Sequence, residues 1–410
     1  MRIKTILLIP IIFSGILLVR CIRNFSIPPA DEPPRELSVL EKQLVASTNV
    51  FGFNLFREII RTEPDTNIFI SPLSVAFALG MTANGAAGNT EEAFRQTLGF
   101  DGMSSQEINE SFRNVVSLLT ALDPQVTLEL ANSIWTRLGF QVEQDFIDVN
   151  RTYFDADVRS LDFSLADAPG VINGWVEQKT HGKITEIIQR IDRATMMFLI
   201  NAVYFKGAWT YEFDPSLTFD EDFIAPDGIV SSCRMMVQEG DFSYAETSDF
   251  QAVDLPYGDG KFSMTVFLPK QGTSLDALIQ ALTPENWSLW MASFSERNAK
   301  LYLPKFKVEY GIQLNDVLAT LGLGIAFTAQ ADFTRINREG GLFISEVKHK
   351  AFVQVDEERT EAAAVTVVVV SRGSASDVVM RVNRPFLFVI RENHSNTILF
   401  IGKIAVPKNE

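Results

Sequence analysis

The stretch Glu357-Glu-Arg-Thr-Glu-Ala-Ala-Ala-Val-Thr-Val-Val-Val-Val-Ser-Arg-Gly-Ser374 limits what this chain can fold into more than any other part of it. It opens on a charged, turn-like cluster, passes three alanines, and enters six β-branched residues at positions 365–370. Such a run strongly favours extended backbone. Left outside a fold, it would form an aggregation-prone edge. Residues 343–355 just upstream are strand-like as well. On residue type alone, the region predicts a hairpin: 343–355, a turn around 357–360, and 361–370 returning antiparallel.

The rest of the pattern predicts an α+β architecture. Phe51, Leu55 and Ile59 share one helical face, and Ile108, Phe112, Val115, Val116 and Leu119 form a second such stripe. Ser71-Pro72 suits a helix start, with the hydroxyl as cap and proline in the first turn. Alternation over residues 126–130 predicts a half-buried strand. The almost continuous apolar run 196–205 predicts one covered on both faces. A strand at 262–268 and a short helix near 274–282 follow. Residues 342–355, 378–382, 386–390 and 398–404 are strand-like. Helices early and strands late, without regular alternation, give α+β.

The ends divide the chain of 410 residues. Arg2 and Lys4 precede fifteen uncharged, mostly aliphatic residues, 5–19, too short to span a bilayer comfortably and suited to an export signal. A leucine shortly before Cys21 is similar to a lipoprotein cleavage box, although Arg20 stands where a small residue is expected. Lipidation at Cys21, simple secretion and an uncleaved anchor all remain open; each places the chain outside the cytoplasm, extracellular or in the cell envelope. Residues 22–36, with four prolines, form an extended tether, and 37–410 are expected to be one domain.

Charge and chemistry exclude several functions. The 51 acidic and 36 basic side chains leave a formal charge of −15, so nucleic acid is not an expected partner, and a membrane is expected only through an N-terminal lipid. Cys21 and Cys233 are the only cysteines, which leaves Cys233 as a buried, inert thiol and predicts no structural disulfide. His181, His349 and His394 lie far apart in sequence. No nucleophile elbow, zinc helix or phosphate loop is present, so no enzyme, metal or cofactor is expected.

Several blocks nonetheless match a known pattern. The segment from Asn67 to Thr90, NIFISPLSVAFALGMTANGAAGNT, is similar to the second-helix motif of the serpins, a family of protease inhibitors. Asn201-Ala-Val-Tyr-Phe-Lys-Gly-Ala-Trp209 resembles their central-strand motif. Arg384-Pro-Phe-Leu-Phe-Val-Ile and Leu399-Phe-Ile-Gly-Lys resemble their closing strands. The resemblance extends over most of 37–407. It implies the serpin fold, about nine helices with three β-sheets and an exposed reactive-centre loop, here at about 357–377.

The resemblance also reinterprets the hairpin. Serpins hold this loop out and, after a protease cuts it, insert it as a new strand of the main sheet. The hinge would comprise Glu357, Glu358, Arg359, Thr360, Glu361, Ala362, Ala363 and Ala364. In an inserted strand, Thr360, Ala362, Ala364, Thr366, Val368 and Val370 would face the core, uncharged and small first. Small residues enter between two strands without overpacking, whereas an unpaired buried charge there costs several kcal/mol. The family spacing of about seventeen residues from Glu357 puts the scissile bond at Gly373–Ser374, and a hinge one residue shorter puts it at Arg372–Gly373. Arg372 is preferred, because its guanidinium fills a trypsin-like pocket and glycine offers nothing to recognise.

The implied function is suicide inhibition of serine endopeptidases through a covalent complex, by a monomer. Arg359 departs from the pattern: inhibitory serpins usually carry glycine there, and arginine lacks glycine's backbone freedom. That departure keeps open a non-inhibitory serpin acting as a binding or chaperone-like module. The resemblance further places Ser71, Ser74, Asn201 and His349 in a hydrogen-bonded shutter beneath the opening strands. It places Trp209 at the breach where the loop first enters.

Overall fold

A computed structural model describes residues 34–357 and 378–408. Residues 1–33, with the expected export signal, Cys21 and most of the expected tether, lie outside the described residues. So do 358–377, which carry most of the expected hinge and both candidate scissile bonds.

Helices dominate the first part. They are α1 (Val39–Thr62), α2 (Pro72–Ala83), α3 (Gly88–Leu98), α4 (Ser105–Ala121), α5 (Gln144–Phe154) and α6 (Ala168–Lys179). The starts follow local chemistry. Ser38 with Glu41, and Ser104 with Glu107, close capping boxes on α1 and α4. Ser71 Oγ accepts from Ser74 N–H ahead of Pro72, as the sequence predicts for α2. Three short helices come later: α7 (Leu275–Gln280), α8 (Pro284–Ala292) and α9 (Asn315–Leu318). The predicted helix at 274–282 is α7; α8, capped by Thr283 and begun by Pro284, was not foreseen.

The early strands are β1 (Ile68–Ile70), β2 (Val126–Arg137), β3 (Ala156–Leu161) and β4 (Met197–Gly207). Then come β5 (Phe219–Ile224), β6 (Val230–Glu246), β7 (Phe250–Tyr257), β8 (Phe262–Pro269), β9 (Ser295–Pro304) and β10 (Phe306–Gln313). The last are β11 (Lys348–Val355), β12 (Val378–Arg381), β13 (Phe386–Glu392) and β14 (Ile398–Ile404). The described residues form three sheets. The largest has the order β1-β14-β13-β8-β7-β6-β9-β12, with β5 on β6; β3-β2-β4 form a second and β10-β11 a third.

β8, β13 and β14 are apolar along nearly their whole length because they are covered on both faces. At Gly402 a side chain has no room: a Cβ would fall 2.2 Å from the Phe388 ring. Cys233 is buried, and burial first, with Glu221, Asp220 and Asp222 nearby, pushes its thiol up to about 11, in keeping with an inert role.

Two strand boundaries differ from the sequence reading. β11 begins at Lys348, not near 342, because 341–347 run as irregular chain along a cavity wall. β2 continues to Arg137, well past the predicted end at 130, since β3 pairs with its second half. The proposed hairpin partner, 361–370, lies outside the described residues. β11 itself pairs antiparallel with β10, from Phe306↔Val355 to Gln313↔Lys348.

Candidate functional site

The site is the seam between the second and third sheets. β4 pairs with β2 and β11 pairs with β10, yet among the described residues no ladder joins β4 to β11. The two strands are neighbours and run the same way. Met197 and Lys348, at their starts, line one cavity. At the far end Trp209, just past β4, donates its indole N–H to the carbonyl of Asp356, just past β11, at 2.9 Å.

That far end is heavily tied. Trp209 stacks on Tyr257, with ring centroids 4.5 Å apart and planes within 11°. Glu357 is buried; its N-terminal neighbour holds Trp209, and its own carbonyl accepts from Phe213 N–H at 3.0 Å. Its carboxylate takes Lys305 Nζ at 2.6 Å and the Thr218 hydroxyl at 2.7 Å. Burial disfavours the charged form of Glu357, but the Lys305 and Thr218 bonds outweigh it and hold the pKa below the usual carboxylate range. Glu357, expected from the sequence to open the hinge, is therefore an ion-paired anchor. Glu358 to Ala364, Arg372, Gly373 and Ser374 lie outside the described residues.

At the near end the predicted shutter residues do come together. Ser71 N–H donates to His349 Nε2 at 3.1 Å. Ser74 Oγ donates to Asn201 Oδ1, and Asn201 Nδ2 donates to Asn132 Oδ1 at 2.7 Å. Asn132 Nδ2 in turn reaches the Phe154 carbonyl at 2.6 Å. This network runs from α2 through β4 and β2 to the end of α5, while His349 ties β11 to the same start of α2. Burial pushes the His349 imidazole down to about 4, so it is neutral and free to accept from Ser71.

Beside this network lies a cavity of about 590 Å³. Val75 and Leu79 of α2, Met197 and Leu199 of β4, and Leu342 and Ile344 line it, with Asn201 and His349 also on its wall. An apolar hollow next to an unmade ladder is room for side chains on an additional strand.

A strap closes the opposite face. α6 and residues 184–188 pack over the seam in a second core in which Trp135, Trp175, Ile200 and Ala202 are buried and Phe352 of β11 packs against them. Lys350 of β11 reaches the Glu186 carbonyl at 3.1 Å and pairs with Glu309 at 2.7 Å. The strap thus bridges both strands without a ladder between them. The sequence reading did not single out this strap, nor Lys305, Thr218, Asp356 or Asn132. Each is an ordinary residue locally and gains its role only from strands distant in the chain.

The family profile described as serpin (serine protease inhibitor) matches residues 46–407. The chain belongs to the serpin family. Human neuroserpin is 35% identical over 370 residues, covering 87% of this chain and 90% of the relative. Among solved structures, the thermophilic serpin tengpin in its native state superposes with a TM-score of 0.82 at 31% identity, covering 92% of this chain and 96% of tengpin. Human thyroxine-binding globulin superposes with a TM-score of 0.84 at 28% identity, covering 90% of this chain and all of that one. The nine helices and three sheets of the described residues are the serpin fold. The family is one of serine protease inhibitors, and a thyroxine-binding globulin shares its fold.

Proposed function

We propose that this serpin inhibits trypsin-like serine endopeptidases by trapping them on its own loop, residues 357–377. The protease serine attacks the carbonyl carbon of Arg372, the Arg372–Gly373 amide breaks, and the new amino group of Gly373 leaves; Gly373–Ser374 is the alternative register. The loop, now an ester of the protease, then inserts between β4 and β11.

One observation carries this reading: two codirectional strands lie side by side with no ladder between them and an apolar cavity at their start. A strand running the other way fits between them antiparallel to both, continuing β10-β11 and β3-β2-β4 into one sheet. About ten added ladder hydrogen bonds at ~1 kcal/mol each supply on the order of 10 kcal/mol. The uncharged set from Thr360 to Val370 suits the inward face. The chain supplies bait and stored energy, with no catalytic group or cofactor of its own, and it acts as a monomer.

Its site of action is outside the cytoplasm, secreted or held by a lipid on Cys21. The binding-module alternative draws on Arg359 and on the likeness to thyroxine-binding globulin. Incubation with trypsin followed by a denaturing gel separates the two. Inhibition gives a boiling-resistant band at the summed mass, and a binding module gives cleavage alone. The mass of the released C-terminal fragment then reports whether Gly373 or Ser374 is its first residue.

A further inference from the structure

A second open edge lies on the far side of β2. β4 pairs with β2 from Val126 to Thr136, but β3 pairs only from Asn132 to Arg137. Among the described residues, positions 126–131 therefore have no strand on their other side, and alternate N–H and C=O groups there point away from β4. A groove of about 710 Å³ runs along this edge between the end of α4 and Trp175 and Lys179 of α6. Every residue from Val126 to Asn132 lines it, whichever way its side chain faces, so the backbone edge itself forms the wall.

The described chain begins beside that groove. Pro34 and Arg35 sit in a hollow against Asn114, Ser117 and Ala121 of α4, and Ala121 also lines the β2 groove. Arg35 is fixed there by Glu41 at 2.8 Å. We propose that residues 22–27 of the tether, Ile-Arg-Asn-Phe-Ser-Ile, add to the free edge of β2 as an extra strand of the same chain.

Reach, length and charge agree. Seven residues from Pro34 back to Ile27 span about 22 Å in an extended proline-rich conformation, whereas Asn114 to Ala121 covers only about 10 Å of helix. Six tether residues match the six positions 126–131 that lack a β3 partner, of which Val126 already donates its N–H to the Asp123 carbonyl at 3.2 Å. Pro28 and Pro29 have no N–H and end the added strand. Asp123, Glu129, Asp155 and Asp157 line the groove against Lys179, with Asp157 also held by Arg159 and Glu129 beside His181, and residues 22–27 bring Arg23 and no acid. Edge addition of an extended segment takes its affinity from main-chain hydrogen bonds. The inference stands whether or not the loop inserts. If Cys21 bears a lipid, it places the anchor within one residue of the docked strand.

Hydrogen exchange read by mass spectrometry tests it on the exported chain and on the double variant Arg23→Pro, Phe25→Pro, whose changes fall outside the described body. In the parent, amides of 22–27 exchange slowly. In the variant, amides of 126–131 exchange about tenfold faster or more, while those of β13 and β14 keep their rates. Equal rates at 126–131 in the two proteins, or tether amides exchanging like an unstructured peptide, overturn the proposal. Protection that disappears on dilution assigns the added strand to a second copy and overturns it as well.

Discussion

Lys305, the single residue between β9 and β10, holds Glu357 at 2.6 Å, so the last described residue after β11 is ion-paired to the link that enters β10. Glu357→Gln keeps the shape and removes the charge. The expected cost is about 1–3 kcal/mol at pH 7, read from urea unfolding. Because the folded-state pKa of Glu357 is lowered, this contribution is present above the ordinary carboxylate range and fades as pH falls through the folded value. Parent and variant therefore converge only once the pH has fallen through that lowered folded value, beneath the ordinary carboxylate range.

His349 predicts a different window. Its folded pKa is pushed down to about 4, so between there and the ordinary value near 6.5 the unfolded chain binds more protons than the folded one. Stability is fully present above about pH 6.5 and is lost as pH falls toward 4, by an amount on the order of 3 kcal/mol. Thermal melts of the parent between pH 7 and 4 should show this decline, and His349→Gln should flatten it. An unchanged slope in the variant would assign the decline elsewhere.

These two residues show what the sequence made legible. Periodicity located α1, α4, β8 and β14, and the Ser71-Pro72 start of α2 followed from capping chemistry alone. Ser71, Ser74, Asn201, Trp209 and His349 were named through motif likeness, and they meet in two clusters at opposite ends of the seam. The seam itself was not legible. It depends on β4 and β11 failing to pair, which no local pattern encodes. Lys305 and Thr218 were missed because a lysine after a strand or a threonine before one carries no mark of a distant carboxylate. The start of β11 was placed too early because apolar residues lining a cavity look the same as residues of a strand.

Asn201 predicts coupling between layers. Asn201→Ala breaks the links to Ser74 on α2 and Asn132 on β2 at once, and should cost about 1–3 kcal/mol by chemical denaturation. Ser74→Ala in the same background should add little beyond that, since the bond it would remove is already gone. Additive costs would show that the two side chains act separately.

The inward face of the proposed strand has its own test. Thr360→Arg places an unpaired charge where the strand should enter, and the ratio of covalent complex to simple cleavage with trypsin should fall by about tenfold or more. An unchanged ratio on the gel would contradict the proposed facing of residue 360.

The most direct measurement compares the melting temperature of the intact protein with that of protein nicked once within 371–374 and freed of protease. A filled seam adds on the order of 10 kcal/mol, which for a domain of this size raises the melting temperature by roughly 10 °C or more. A nicked molecule that melts at or below the temperature of the intact one would mean that the gap between β4 and β11 does not receive the loop.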